Sequence, residues 1–97
     1  MKTTDECVSI LCANSEEFKD VFGVRKMFVF GSVSRGEHTE QSDVDVFVDM
    51  PPRIMLLSSL KLRLEALLHA PVDLIRRHKH LSGFFLEQIK RDGIRII

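Results

Sequence analysis

A single α/β or α+β domain built on one sheet is what this sequence predicts, and three observations predict it. The chain has 97 residues, enough for one core and too few for a second. Apolar residues make up 44% and charged residues 29%, the proportions of a folded chain rather than a disordered one. Runs of strand length and runs of helical periodicity follow each other as helix, strand, loop, strand, helix, strand, helix, strand.

The first helical stretch covers about Thr4 to Phe22, with Val8, Leu11, Phe18, Val21 and Phe22 at roughly helical spacing. Asn14-Ser15 followed by Glu16-Glu17 marks a break and a second N-terminus inside it, and Gly23 closes it. Lys26 to Phe30 is a short apolar run ending at Gly31, which predicts a buried strand. Ser32 to Gln41 is polar and reads as a loop, with one helical turn near Val33-Ser34-Arg35. Strict alternation follows, placing Val44, Val46 and Val48 on one face and Asp43, Asp45, Phe47 and Asp49 on the other. Pro51-Pro52 ends that strand because neither proline has an N–H to donate.

From about Arg53 to His69, Leu57, Leu60, Leu64, Leu67 and Leu68 form one apolar helical stripe, which Pro71 stops. Val72 to Ile75 is a short strand, with Asp73 and Ile75 on the face opposite Val72 and Leu74. Ser82 is placed to cap a last helix carrying Phe85, Leu86 and Ile89. Gly93 ends it, and Ile94 to Ile97 reads as a terminal strand.

Several function classes are disfavoured at the outset. Basic and acidic side chains balance at 14 each, so no global positive field marks a general nucleic-acid binder. Neither a leader-like apolar segment nor a bilayer-length apolar run is visible, so a cytoplasmic protein with no membrane partner is expected. Cys7 and Cys12 sit on different sides of a helix and read as two half-buried thiols rather than a disulfide or a metal site.

The chemistry-bearing residues begin with Asp43 and Asp45. Two apart on a strand, they project from one face, and their mutual repulsion is relieved by a hard divalent cation such as Mg²⁺. Asp73, on another strand, supplies the third carboxylate of a two-metal site if the strands are neighbours. Taken alone, such a pair fits the solvent side of a half-exposed strand equally well. Gly31-Ser32 adds a turn where backbone can approach a bulky anion and a serine can donate to phosphate. Alone, this too fits an ordinary strand-to-loop turn. Arg35, with its planar fork, and Gly36 extend the same loop.

Together these residues make a pattern of Gly-Ser, ten intervening residues and Asp-x-Asp, with a later lone aspartate. The segment Phe28 to Gly36, continuing through Ser42-Asp43-Val44-Asp45-Val46, closely resembles the minimal nucleotidyltransferases of the DNA polymerase β superfamily. The resemblance runs from about Lys26 through Val72-Asp73-Leu74-Ile75 to the end of the chain. It implies a polymerase β-like nucleotidyltransferase fold, a small mixed sheet flanked by helices, with residues 1–97 as one such domain. It further implies that Asp43, Asp45 and Asp73 hold two Mg²⁺ ions, and that Asp73 helps take the proton from the attacking hydroxyl. Gly31 and Ser32 would grip the outer phosphates of ATP, with Arg35 and Ser42 as further nucleotide-binding positions. No position departs from the motif.

Relatives that act on RNA, DNA or antibiotics carry extra domains for the acceptor, and this chain has no residues for one. The resemblance therefore implies an antitoxin that transfers AMP from ATP to a tyrosine of a HEPN-domain RNase toxin, in complex with it. Two alternatives stand beside it: a module that neutralises its partner by occlusion, and transfer to a small molecule or RNA end. Met55, Leu56 and Leu62 fall off the leucine stripe and are either an association patch or, more commonly, part of a helix buried on several sides. The basic run Arg76 to His80 is more often a solvated loop than a phosphate collector. His38, His69, His78 and His80 are expected at the surface.

Overall fold

A computed structural model describes residues 2–97. Its elements are α1 (Thr4–Ala13), α2 (Ser15–Phe22), β1 (Lys26–Phe30), α3 (Gly31–Arg35), β2 (Val44–Asp49), α4 (Ile54–Leu68), β3 (Val72–Arg76), α5 (Gly83–Asp92) and β4 (Ile94–Arg95). The strands form one sheet in the order β3-β2-β1-β4. β1 runs antiparallel to both β2 and β4, while β2 and β3 are parallel and joined across the sheet by α4. This is the mixed sheet flanked by helices that the sequence leads one to expect.

Each boundary has a local cause. Thr3 caps α1, its hydroxyl accepting from the Glu6 N–H while Glu6 accepts from the Thr3 N–H, a reciprocal box at the helix start. Asn14 breaks the helix where expected, and Gly23 ends α2 in the left-handed conformation that favours glycine. Ser82 caps α5 by accepting from the Phe85 N–H.

The β1–β2 register sets Met27 opposite Val48 and Val29 opposite Val46, all fully buried. This face, with Cys7 and Leu11 of α1, Phe18 and Phe22 of α2, and Leu60, Leu64 and Leu68 of α4, makes the core. Burying a side chain of this kind contributes about 1.5–3 kcal/mol each, which binds the three helices to the sheet. The opposite face is aromatic and only partly covered. Phe28 packs on Phe47 at 6.3 Å between ring centroids, and Phe85 of α5 meets Phe30 at 5.8 Å and Phe47 at 6.5 Å.

Four expectations need correction. Val21 is 60% exposed because Phe18 and Phe22, four apart, form the buried stripe of α2, and in α1 Cys7 rather than Val8 is buried, one turn before Leu11. Cys7 is buried and Cys12 exposed, so the two thiols are not alike. His38 is only partly exposed: its Nε2 lies 2.7 Å from the Lys2 carbonyl, and its Nδ1 is buried with no partner among the described residues. The terminal strand is ladder-regular only over Ile94–Arg95, because the Ile96 and Ile97 N–H groups both donate to the Met27 carbonyl.

The helix α4 divides the off-stripe residues. Leu56 packs against the core, whereas Met55 and Leu62 are 77% and 67% exposed, beside Ile54 at 77%.

Candidate active site

β1 ends at Phe30 where β2 begins, and β3 begins alongside β2, so one edge of the sheet gathers all three strand ends. The register makes Phe30 and Asp45 partners across β1 and β2, and Asp45 and Asp73 partners across β2 and β3. In-register neighbours point to the same side of a sheet. Asp45 and Asp73 therefore share the half-open aromatic face, next to Phe30. Asp43 lies one residue ahead of β2 rather than within it, and it is exposed, as is Asp73.

Asp45 is the half-buried member of the three. Its carboxyl is held above the ordinary range, first by burial and then by the negative charges of Asp73 and Asp43, with Arg35 pulling the other way. None of the three aspartate side chains makes a hydrogen bond or ion pair among the described residues. As they stand, no three His, Cys, Asp or Glu side chains among the described residues converge on a single point.

Gly31 sits where β1 turns into α3, with φ at +72°, a backbone state that side-chain-bearing residues rarely adopt. A Cβ there would overlap Oδ2 of Asp45. Glycine is thus required twice over, by backbone angle and by the carboxylate beside it. The turn is braced from outside: the Thr4 hydroxyl donates to the Val33 carbonyl, and the Glu37 N–H donates to that of Ser32 at 2.9 Å. Ser34 spends its hydroxyl on the Gly31 carbonyl, whereas that of Ser32 has no partner among the described residues. The expected helical turn is α3 itself, which starts one residue before the predicted loop.

Arg35 lies on the same loop, 3.3 Å from the Glu37 carboxylate, and lines a pocket of about 180 Å³ with Phe30, Gly31 and Phe85. Ser42 has a loop-building role, its hydroxyl accepting from the Thr39 N–H at 2.9 Å. One residue that sequence reading did not single out is Glu65. Its carboxylate on α4 accepts from the Val72 N–H at 3.0 Å, pinning the start of β3 immediately before Asp73. Nothing within a few residues of Glu65 signals this. A glutamate off the leucine stripe looks like any solvated helix position.

A glycine turn opening a short helix beside a row of carboxylates is an arrangement chemically suited to phosphate and a hard cation. The nucleotidyltransferase domain model matches residues 11–97. The chain belongs to the nucleotidyltransferase domain family. This nucleotidyltransferase is 45% identical, over 85 residues and 86% of each chain, to a Thermococcus cleftensis protein named protein adenylyltransferase MntA. Its fold matches a minimal nucleotidyltransferase structure with a TM-score of 0.78 at 29% identity, covering 96% of this chain and 95% of that one. A tri-AMPylated Shewanella oneidensis HEPN toxin in complex with an MNT antitoxin matches at TM-score 0.62 and 17% identity, over 93% of this chain and 71% of that one. The last is a likeness of fold. Among the described residues, no helix is long and apolar enough to cross a membrane.

Proposed function

We propose that this nucleotidyltransferase adenylylates a HEPN-type toxin protein and so acts as its antitoxin. The single observation that carries the proposal is the Gly31–Asp45–Asp73 arrangement, in which a phosphate-accepting turn abuts two in-register carboxylates. The identity to a protein adenylyltransferase and the fold shared with an MNT antitoxin bound to a modified toxin support the choice of donor and acceptor.

The donor is ATP and the acceptor a tyrosine hydroxyl. The hydroxyl oxygen bonds to the α-phosphorus, the bond to the bridging oxygen breaks, pyrophosphate leaves and the hydroxyl proton is released. Gly31 and Ser32 bind the outer phosphates, where the first N–H groups of α3 lack intrahelical partners. Arg35 offsets charge on the same phosphates. Asp73, the more exposed of the pair, receives the proton from the acceptor in this reading.

Asp43, Asp45 and Asp73 would hold Mg²⁺. An oxygen-only donor set suits a hard cation, and three carboxylates without protein partners, one of them destabilised in its charged form, fit the group. When bound, the ions supply charge neutralisation of the triphosphate and of the leaving pyrophosphate.

Incubation with ATP, Mg²⁺ and the product of the neighbouring gene tests the proposal by intact mass. A gain of one or more AMP units on the partner is expected, and an unmodified partner refutes the reading. The exposed apolar group Ile54, Met55 and Leu62 on α4 favours a second reading, neutralisation by occlusion. The Asp43→Ala/Asp45→Ala variant separates the two. Loss of protection with the complex intact supports catalysis, and full protection supports occlusion.

A further inference from the structure

A second feature of the aromatic face lies at its other end. Lys26 at the start of β1, Arg77 just after β3, Lys90 on α5 and Arg95 on β4 surround one groove of about 530 Å³. Their side chains have no acidic partner among the described residues. The carboxylate that also lines the groove, Asp49, is 3.1 Å from Arg25 and is thereby partly neutralised. The equal charge totals of the whole chain hide this segregation, in which acids gather at one end of a face and cations at the other. Four like charges around one cavity repel each other, and an anionic ligand relieves that repulsion.

We propose that this groove anchors an acidic segment of the acceptor protein, next to the residue being modified. The inference rests on the adenylyltransferase reading given above.

The lining favours a protein segment over a phosphate. Phe28 and Phe47 form an apolar floor, and Leu86 and Ile89 of α5 form an apolar wall, so aliphatic and aromatic side chains fit between the cations. The cations come from three elements and the segment after β3 and are spread around the rim, which suits an extended chain better than one compact phosphate. The N–H of Gly93, also on the lining, is taken by the Ile89 carbonyl, so no backbone cradle is offered there.

Asp49 is four residues beyond Asp45 on β2, and Arg77 four beyond Asp73. At about 3.3 Å per residue the far cations stand roughly 13 Å from the acids, a span an extended chain covers in about four residues. The groove therefore selects acceptors with an acidic side chain about four residues from the accepting hydroxyl.

The test uses the full chain and a Lys90→Glu/Arg95→Glu variant, both positions being exposed and outside the reacting end. Binding of a fluorescent hexaglutamate peptide is followed by anisotropy, with a hexadeoxyadenylate as competitor. The expected result is salt-sensitive peptide binding that weakens at least about tenfold in the variant. Equal binding by the variant, or displacement of the peptide by lower concentrations of the oligonucleotide, overturns the proposal.

In the adenylylation assay the variant's KM for the acceptor protein rises by a similar factor while its KM for ATP holds. An acceptor with its acidic residue changed to lysine then reverses the variant's defect. An unchanged KM for the acceptor overturns the inference. If the wild type labels no acceptor, the adenylyltransferase reading fails, and the peptide arm still judges the groove. A neutral Lys26→Gln/Lys90→Gln variant, expected to melt as the wild type does and to show a smaller loss in the same direction, guards against misfolding.

Discussion

Gly31 and the carboxylate of Asp45 are so close that a methyl group on the glycine would overlap Oδ2. The Gly31 turn and the acid that faces it are thus one packed unit, although 14 positions separate them in the chain. Gly31→Ala is expected to lose at least about a hundredfold in kcat/KM and to destabilise the fold by roughly 1–3 kcal/mol, from backbone strain and overlap together. Combining it with Asp45→Ala removes the overlap but not the strain. Urea unfolding of the two single variants and the double variant should then show a non-additive coupling of about 0.5–3 kcal/mol. Strict additivity would show that the contact carries no weight.

Asp45 sets a pH dependence of opposite sign to most carboxylates. Its folded pKa is raised by burial, then by Asp73 and Asp43. The folded protein therefore holds this proton more tightly than the unfolded chain does. Metal-free stability falls as pH rises from the ordinary carboxylate range through the raised value, and the penalty is fully present once pH has passed that value. Asp45→Asn should accordingly melt a few degrees above the wild type at pH 7 in EDTA while losing activity. The gap should close as pH is lowered through the carboxylate range.

Magnesium should reverse that order. At ten times its dissociation constant, an ion binding only the folded state contributes about 1.4 kcal/mol, or roughly 6–11 °C in Tm at this chain length. Asp43→Asn, Asp45→Asn and Asp73→Asn should each blunt the rise. A wild-type Tm indifferent to Mg²⁺ and ATP together would count against a metal site at these residues.

Glu65 is expected to act on catalysis through Asp73. Its hydrogen bond to the Val72 N–H fixes the first residue of β3. Glu65→Ala should cost about 1–3 kcal/mol in urea unfolding, because a backbone donor loses a charged acceptor. A displacement of Asp73 by a fraction of an ångström should lower kcat by about tenfold to a hundredfold, with KM for ATP little changed. Glu65→Gln keeps an acceptor oxygen and should restore most of both. A Glu65→Ala variant with full kcat would leave this contact a purely structural role.

The sequence by itself determined whatever depends on residues a few positions apart. The leucine stripe made α4, Pro51-Pro52 and Pro71 ended elements because they lack an N–H, and Gly31-Ser32 with Asp43 and Asp45 marked the candidate site. Phase was harder: Cys7 and Leu11 share the buried stripe of α1, and after the restart at Ser15 Phe18 and Phe22 share that of α2, which leaves Val21 outward. Tertiary structure alone decided which strand lies beside which. Only the order β3-β2-β1-β4 places Asp73 in register with Asp45 and sets Gly31 against that carboxylate, and the angle at which α4 meets β3 brings Glu65 to Val72. Lys26, Arg77, Lys90 and Arg95 are up to 69 positions apart in the chain and share one groove only because α5 crosses the sheet face. Local patterns carry periodicity and turn chemistry, whereas pairing between distant segments is set by the burial that the whole domain achieves at once.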